Sequence, residues 1–289
     1  TRQGKFAKAL EHVEKALIKN AHNIKARGLK AYVLRKLDRT VEAAAWVEEN
    51  LALDPFDFVS GTEKVLLNHN ESELRAALNN KMRNFQENYL MTARDYAEFG
   101  AHEEAVAVLQ ECTKKYPMLK YYEAYYRNLM GEDVETILQQ AENYAPDYCF
   151  PNKLEDIAVL RFAASFERGS KAKYYLGNLL YDKLQWQEAV SLWEASAAAD
   201  PDFPTVQRNL SLAYYNKMKD GEKAKEAMKK AFALNTADVR IFLELDQLYK
   251  KLGMSFEDRL KIYEEHKELI DKRDDLYTEY ITLLNMCGH

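Results

Sequence analysis

The sequence predicts an all-α chain of antiparallel helix hairpins stacked into a superhelical solenoid. Three observations lead there. Breakers are scarce, with 10 Gly and 6 Pro in 289 residues, so helices can run with few interruptions. Ala9, Ala43 and Ala77 recur 34 residues apart, a spacing that fits a repeated two-helix unit. The stretch "YLGNLLYDKLQWQEAVSLWEASAAADP" (175–201) sets small and bulky residues at helical periods, and an Asp-Pro closes it.

Each element follows in order. "GKFAKALEHVEKAL" (4–17) reads as a second helix without a first, carrying Ala9. Residues 24–57 form a hairpin with Ala31, Leu34, Ala43, Val47 and Pro55 at the repeat places. Residues 56–84 are a compressed hairpin whose second helix opens at the capping box "NESE" (70–73). Residues 86–119 place Ala93, Tyr96, Gly100, Ala105, Leu109 and Cys112, and Pro117 is expected to end the second helix. A short pair follows between 119 and 145, with "YYEAYY" in its first helix and Thr136 where Ala is expected.

Next, "YAPDYCFPN" (144–152) breaks the array with two prolines, and an unpaired helix is expected at 153–168. This joint predicts two domains, an N-terminal sub-array over 1–145 and a C-terminal one over 146–289. In the second, residues 170–203 place Leu176, Gly177, Ala189, Trp193 and Pro201. The unit from Pro204 places Leu210, Ser211 and Tyr214, then Ala224, Met228 and Ala231 after one inserted residue. The last hairpin, 239–270, has Arg259 where a small residue is needed, so it should splay or shift. A further helix ends near "LLNMCGH".

The physical logic is steric. Gly or Ala at one place of each helix lets the two helices approach closely, and bulky residues fill the space around that crossing. Each hairpin keeps an unburied face, which the next hairpin covers. This 34-residue pattern resembles the tetratricopeptide repeat family. That resemblance implies a concave face, lined by first helices, that holds segments of other proteins. "KYYLGNLLYDK", "FPTVQRNLSLAYYNK", "FLELDQLYKKLG" and "HKELIDKRDDLYTEYITLLN" also resemble the repeat region of large bacterial proteins. Those carry an N-terminal mutarotase-like β-sandwich of unknown function. The resemblance implies that this chain is the helical arm of such a protein.

The chemistry-bearing motifs are few. The sequence has no Gly-rich phosphate loop, CxxC, HExxH or GxSxG. "HEEAV" at His102 has Val106 where a zinc helix needs a second His. Neither a catalytic residue, a cofactor nor a metal is therefore expected, and the fragment reads as no enzyme. The net charge of -5 argues against nucleic acid as a partner, although Lys25, Arg27, Arg35 and Lys36 cluster near one end. No run of about 18 apolar residues exists to span a membrane. The odd, scattered Cys112, Cys149 and Cys287 read as reduced thiols, which with no signal-peptide pattern suggests the cytoplasm.

The function expected is a non-catalytic scaffold, binding a protein segment or the protein's own N-terminal domain. The alternative is a structural or homodimerising arm of a carbohydrate-active protein. Trp186, Trp193, Phe203, Tyr214 and Phe232 fall at core places. Tyr174, Tyr181 and Tyr215 fall where first helices line the groove. Asn178, Arg208, Asn209 and Gln247 add polar groups to it. Some family members clamp a peptide's terminal carboxylate with three cations and two asparagines. Those places here hold Tyr174, Asn178, Asn209, Arg240 and Glu244. Both asparagines and one cation are kept, and Glu244 is expected to repel a carboxylate.

Overall fold

Small residues set much of the architecture in the computed structural model: of the three alanines spaced 34 apart, Ala43 is fully buried, whereas Ala9 is half-buried and Ala77 is exposed in the compressed second hairpin. Residues 1, 3–68 and 71–289 are described; Asn70, which opens the expected capping box, lies outside them. Among the described residues every regular element is helical. The chain divides into two compact units, Thr1–Cys149 and Phe150–His289.

The first unit holds α1 (Phe6–Lys19), α2 (Ile24–Lys36), α3 (Thr40–Leu53), α4 (Phe58–Leu66), α5 (Glu71–Met82), α6 (Gln86–Phe99), α7 (His102–Glu111), α8 (Pro117–Leu129) and α9 (Glu135–Asn143). Sequence neighbours pack on one another from α1 through α5 and again from α6 through α9. Ala31, Ala43, Ala93 and Ala105 are fully buried at the crossings of α2 with α3 and α6 with α7. Asn23 and Asp57 cap α2 and α4 by accepting backbone N–H groups of Ala26 and Ser60. The turns between paired helices need a left-handed residue, supplied by Asp38, Gly100 and Gly131.

One boundary differs from expectation. α7 ends at Glu111, and Cys112 is its extended C-cap rather than a core position of a longer helix. Asn84 Oδ1 accepts from the Thr113 backbone N–H at 3.0 Å, drawing the chain off the helix axis. Pro117 then opens α8 at its first turn instead of ending α7. A proline needs no N–H bond there, so the position costs nothing.

The second unit begins with α10 (Leu154–Ala164), followed by α11 (Ser170–Asp182), α12 (Trp186–Ala199), α13 (Pro204–Ala213), α14 (Gly221–Leu234), α15 (Val239–Lys251), α16 (Phe256–Glu265), α17 (Lys267–Ile270) and α18 (Asp274–Met286). α13 runs on into a π-turn, Tyr214–Met218. α10 is not unpaired: it packs on α11 as a second helix would. Its start is fixed by Asp156, whose carboxylate accepts the N–H groups of Asn152 and Lys153. Ala189 and Ala224 are fully buried, and Gly177 faces Trp193 so closely that a Cβ there would lie 2.5 Å from Nε1. Ser211 takes the small place in α13, and its hydroxyl donates to the Ala224 carbonyl at 2.7 Å.

The last hairpin solves its misfit with charge. Close backbone approach runs along α11–α12 and α13–α14 but is nearly absent between α15 and α16. Arg259 is 1% exposed in the gap. Its guanidinium donates to both oxygens of Asp246 at 2.8 Å and to Glu279 at 2.6 Å. The Tyr263 hydroxyl completes the set by donating to Asp246 at 3.0 Å.

Candidate functional site

The candidate site lies on the first helices of the second unit, α11, α13 and α15. Side chains link these helices into one run. Trp193, on α12, is 3% exposed, and its indole N–H donates to the Tyr174 carbonyl at 3.2 Å and to Asn178 Oδ1 at 3.1 Å. An indole N–H can only donate, so the Asn178 atom it meets is the carbonyl oxygen. Asn209 Nδ2 donates to the same oxygen at 3.0 Å, tying α13 to α11. The Asn178 amide nitrogen is therefore turned away from Trp193, and the Asn209 oxygen is turned away from Asn178. Two successive helices thus offer a donor beside an acceptor, the pattern that matches a peptide backbone unit.

The run continues to α15. Arg208 grips Glu244 with two hydrogen bonds, 2.6 and 2.5 Å, and reaches Asn209 Oδ1 at 3.5 Å. Arg240 adds a third bond to Glu244 at 3.1 Å. Glu244 is thus held between two guanidiniums, and the expected repulsion of an anion does not arise from it alone. Beside it, a recess of about 50 Å³ is lined by Ser211, Leu212, Tyr215, Asn216, Met228, Glu244, Gln247, Leu248 and Lys251. Ligand pockets run to about 300–1,000 Å³, so this recess can seat one functional group of a partner but not a whole small molecule.

The structure sorts the seven sequence-derived residues. Asn178, Arg208 and Asn209 are half-buried members of one hydrogen-bonded run. Tyr215 and Gln247 meet in the recess, with the Lys251 ammonium 5.5 Å from the Tyr215 ring. Tyr174 is only 7% exposed, because Phe203, from the turn before α13, packs edge-on against its ring at 4.8 Å. It serves packing here rather than access. Tyr181 is half-buried with its ring 5.2 Å from Trp193, and burial raises its hydroxyl pKa above 10.0. Of the expected core aromatics, Trp193, Phe203 and Phe232 are buried, whereas Trp186 and Tyr214 are half-exposed. Trp186 sits at the start of α12 under the Lys217 ammonium, and Tyr214 donates its hydroxyl to Glu194.

Sequence reasoning missed three contributors. Trp193 orients Asn178, Lys251 brings charge to the recess, and Glu244 joins two helices. The signal for the last lay in the spacing, since Arg208 and Glu244 stand about one repeat apart. Among the described residues, no group of three or more His, Cys, Asp or Glu side chains is placed to hold a metal ion. No helix is long and apolar enough to cross a membrane among those residues.

Comparison with known proteins finds helical repeats at low sequence identity. A MamA structure from Desulfovibrio magneticus RS-1 is 21% identical, with a TM-score of 0.34, and the match covers 71% of this chain and 97% of that one. A thermophilic tetratricopeptide protein of Thermus thermophilus is 18% identical, with a TM-score of 0.38, over 69% of this chain and 99% of its own. YrrB, described as a tetratricopeptide protein with an unusual peptide-binding site, is 16% identical, with a TM-score of 0.31, over 81% and 98%. Within this sequence, the tetratricopeptide repeat family model matches residues 2–58 and 174–238.

Proposed function

We propose that the chain is a non-catalytic scaffold whose second unit holds an extended segment of another protein on the face of α11, α13 and α15. Tetratricopeptide repeats generally serve as protein-interaction scaffolds, and one of the two matched stretches contains Asn178 and Asn209. The observation that carries the reading is the fixed amide pair. Trp193 holds Asn178 in one orientation, and Asn178 in turn orients Asn209. Their outward donor and acceptor are therefore ordered before a partner arrives, which lowers the cost of binding. Arg208, Arg240 and Tyr215 extend the polar and aromatic surface along the same helices.

Ion pairing bears on the nucleic-acid alternative. Lys25 pairs with Asp95, Arg27 with Glu49 while also donating to the Asn50 amide oxygen, Arg35 with Glu63 and Glu104, and Lys36 with Glu104. All four cations of that cluster are engaged within the first unit, which favours a protein partner over RNA.

The test removes the amides without touching the core. In an Asn178→Ala, Asn209→Ala variant, Trp193 keeps the Tyr174 carbonyl as acceptor, so the fold should stay intact. Binding of a groove-dependent peptide, measured by fluorescence anisotropy, should weaken at least tenfold, about 1.4 kcal/mol. Unchanged binding of every peptide the parent takes would remove this face as the working surface.

A further inference from the structure

We propose that this chain associates with a second copy of itself, the Tyr148 side chain of one copy entering a recess between α3, α4 and α5 of the other. Both parts lie in the first unit, so the contact is independent of the groove on α11, α13 and α15. The recess comes from the compressed hairpin. In other hairpins an alanine of the second helix fills the crossing, and Ala43, Ala105 and Ala189 are fully buried. In α4–α5 the crossing is inverted. Gly61 of α4 faces Leu78 of α5, and a Cβ on Gly61 would lie 2.8 Å from Leu78 Cδ1. The leucine takes the close place, so Ala77 is turned outward and exposed. An apolar recess of about 140 Å³ is left, walled by Leu51, Pro55, Leu74, Ala77 and Leu78. An apolar cavity of about 150 Å³ takes benzene, so this one has room for a single aromatic ring.

The polar lining selects among rings. Asp57 lines the recess and is 5% exposed. Its carboxylate caps α4 by accepting the Ser60 N–H and hydroxyl, and no cation pairs with it among the described residues. Burial raises its pKa above 3.8, as befits a carboxylate short of donors. It keeps room for another bond, which a phenol can donate and a phenyl ring cannot. Two ammoniums also line the recess. Lys64 is paired with Glu48 at 2.7 Å. Lys81 donates to the Pro55 carbonyl at 3.4 Å and pairs with no carboxylate among the described residues. The fitting guest is therefore a tyrosine with an acidic neighbour.

The chain itself carries that guest. Tyr148 is 86% exposed, and among the described residues no large apolar side chain is more so. The Cys149 N–H bonds to the Pro146 carbonyl at 3.4 Å, closing a turn anchored by the buried Cys149. Within it Tyr148 takes φ +58°, a conformation that favours glycine, yet the position holds a bulky aromatic pointing into solvent. Asp147 is exposed beside it and pairs with no cation among the described residues. A ring in the recess thus brings its hydroxyl to Asp57 and Asp147 towards Lys81. Tyr277 on α18 is 52% exposed, but its neighbour Asp275 is already bonded by Arg273. The contact joins two different surfaces, so each copy offers one knob and one recess.

Sedimentation velocity of the full chain tests this. The average mass should rise with concentration. Tyr148→Ala and Ala77→Leu, which fills the recess, should each weaken association at least tenfold, and Tyr148→Phe at least threefold. A mixture of Tyr148→Ala, with its recess intact, and Ala77→Leu, with its knob intact, should form one-to-one dimers that neither forms alone. Lys81→Glu and Asp147→Lys should each weaken association, and together in one chain restore it. Tyr277→Ala should associate as the parent does. Far-UV circular dichroism melts confirm that each variant is folded. A parent that stays monomeric at every concentration, association that survives Tyr148→Ala or Ala77→Leu, half-blocked variants that do not pair, or loss in Tyr277→Ala would overturn the proposal. Association lost in the Asn178→Ala, Asn209→Ala variant would overturn it too, by moving the contact to the groove of the second unit.

Discussion

Gly177 gives the most direct test of the hairpin register. A Cβ at this position would lie 2.5 Å from Trp193 Nε1 and 2.6 Å from Cδ1, well inside van der Waals contact. The neighbour cannot yield cheaply. The indole is 3% exposed, with the Tyr181 ring 5.2 Å away, and its N–H serves two acceptors. Overpacking of this kind costs about 1–3 kcal/mol. If the ring shifts so that its N–H loses its acceptors, about 1–3 kcal/mol is added. Helix propensity returns about 1 kcal/mol for Gly→Ala. The sum is a loss of about 3 kcal/mol for Gly177→Ala, within a range of about 1–5. Urea unfolding followed by circular dichroism measures it, with the exposed Ser191→Ala on α12 as a near-neutral control. Gly177→Ala should also cost less in a Trp193→Phe background, because Nε1 is gone and the smaller ring has room to shift. A Gly177→Ala protein as stable as the parent would show propensity winning alone, and would refute the close crossing.

Two further outcomes follow from the geometry. Leu184, 67% exposed at φ +64°, holds a left-handed turn that glycine adopts freely, so Leu184→Gly should raise stability by about 0.5–1 kcal/mol in thermal unfolding; a lower melting point would contradict the strain argument. Burial alone would raise the Glu279 pKa, but hydrogen bonds from Arg259 and Lys250 hold it below 4.5, so its contribution is present above that value and is lost as pH falls through the lower, folded pKa. The acid limb of stability against pH should therefore be shallower in Glu279→Gln, and an unchanged limb would place the acid sensitivity elsewhere.

Much of the hairpin pattern was legible because small residues carry local steric information. Ala31, Ala43, Ala93, Ala105 and Ala189 are each fully buried at repeat places, whereas Ala9 in the first helix is half-buried and Ala77 in the compressed hairpin is exposed. Proline was less legible because it is compatible with two places. Pro201 stands just past the end of α12, whereas Pro117 and Pro204 open α8 and α13. The sequence pattern alone does not separate these roles, since both follow a helical run. Tyr174 failed as a groove residue for a related reason. The residue that covers it, Phe203, comes from the turn into the following helix, 29 positions later.

Charged residues were misjudged where each was weighed alone. Arg259 looked like a residue no tight crossing could hold, and the helices around it do stand apart. Yet the facing small place in α15 is taken by Asp246, so the two exceptions form one bidentate pair at 2.8 Å. A buried pair of this kind offsets its desolvation only when both members are present and their remaining bonds are met, as Tyr263 and Glu279 do here. Glu244 follows the same rule on the surface. Read singly, it makes the groove hostile to anions. Bonded by Arg208 and Arg240, it becomes the anchor that joins a guanidinium of α13 to one of α15. The sign of the local field is set by the set of partners, and that set is assembled only when α13 and α15 are brought side by side.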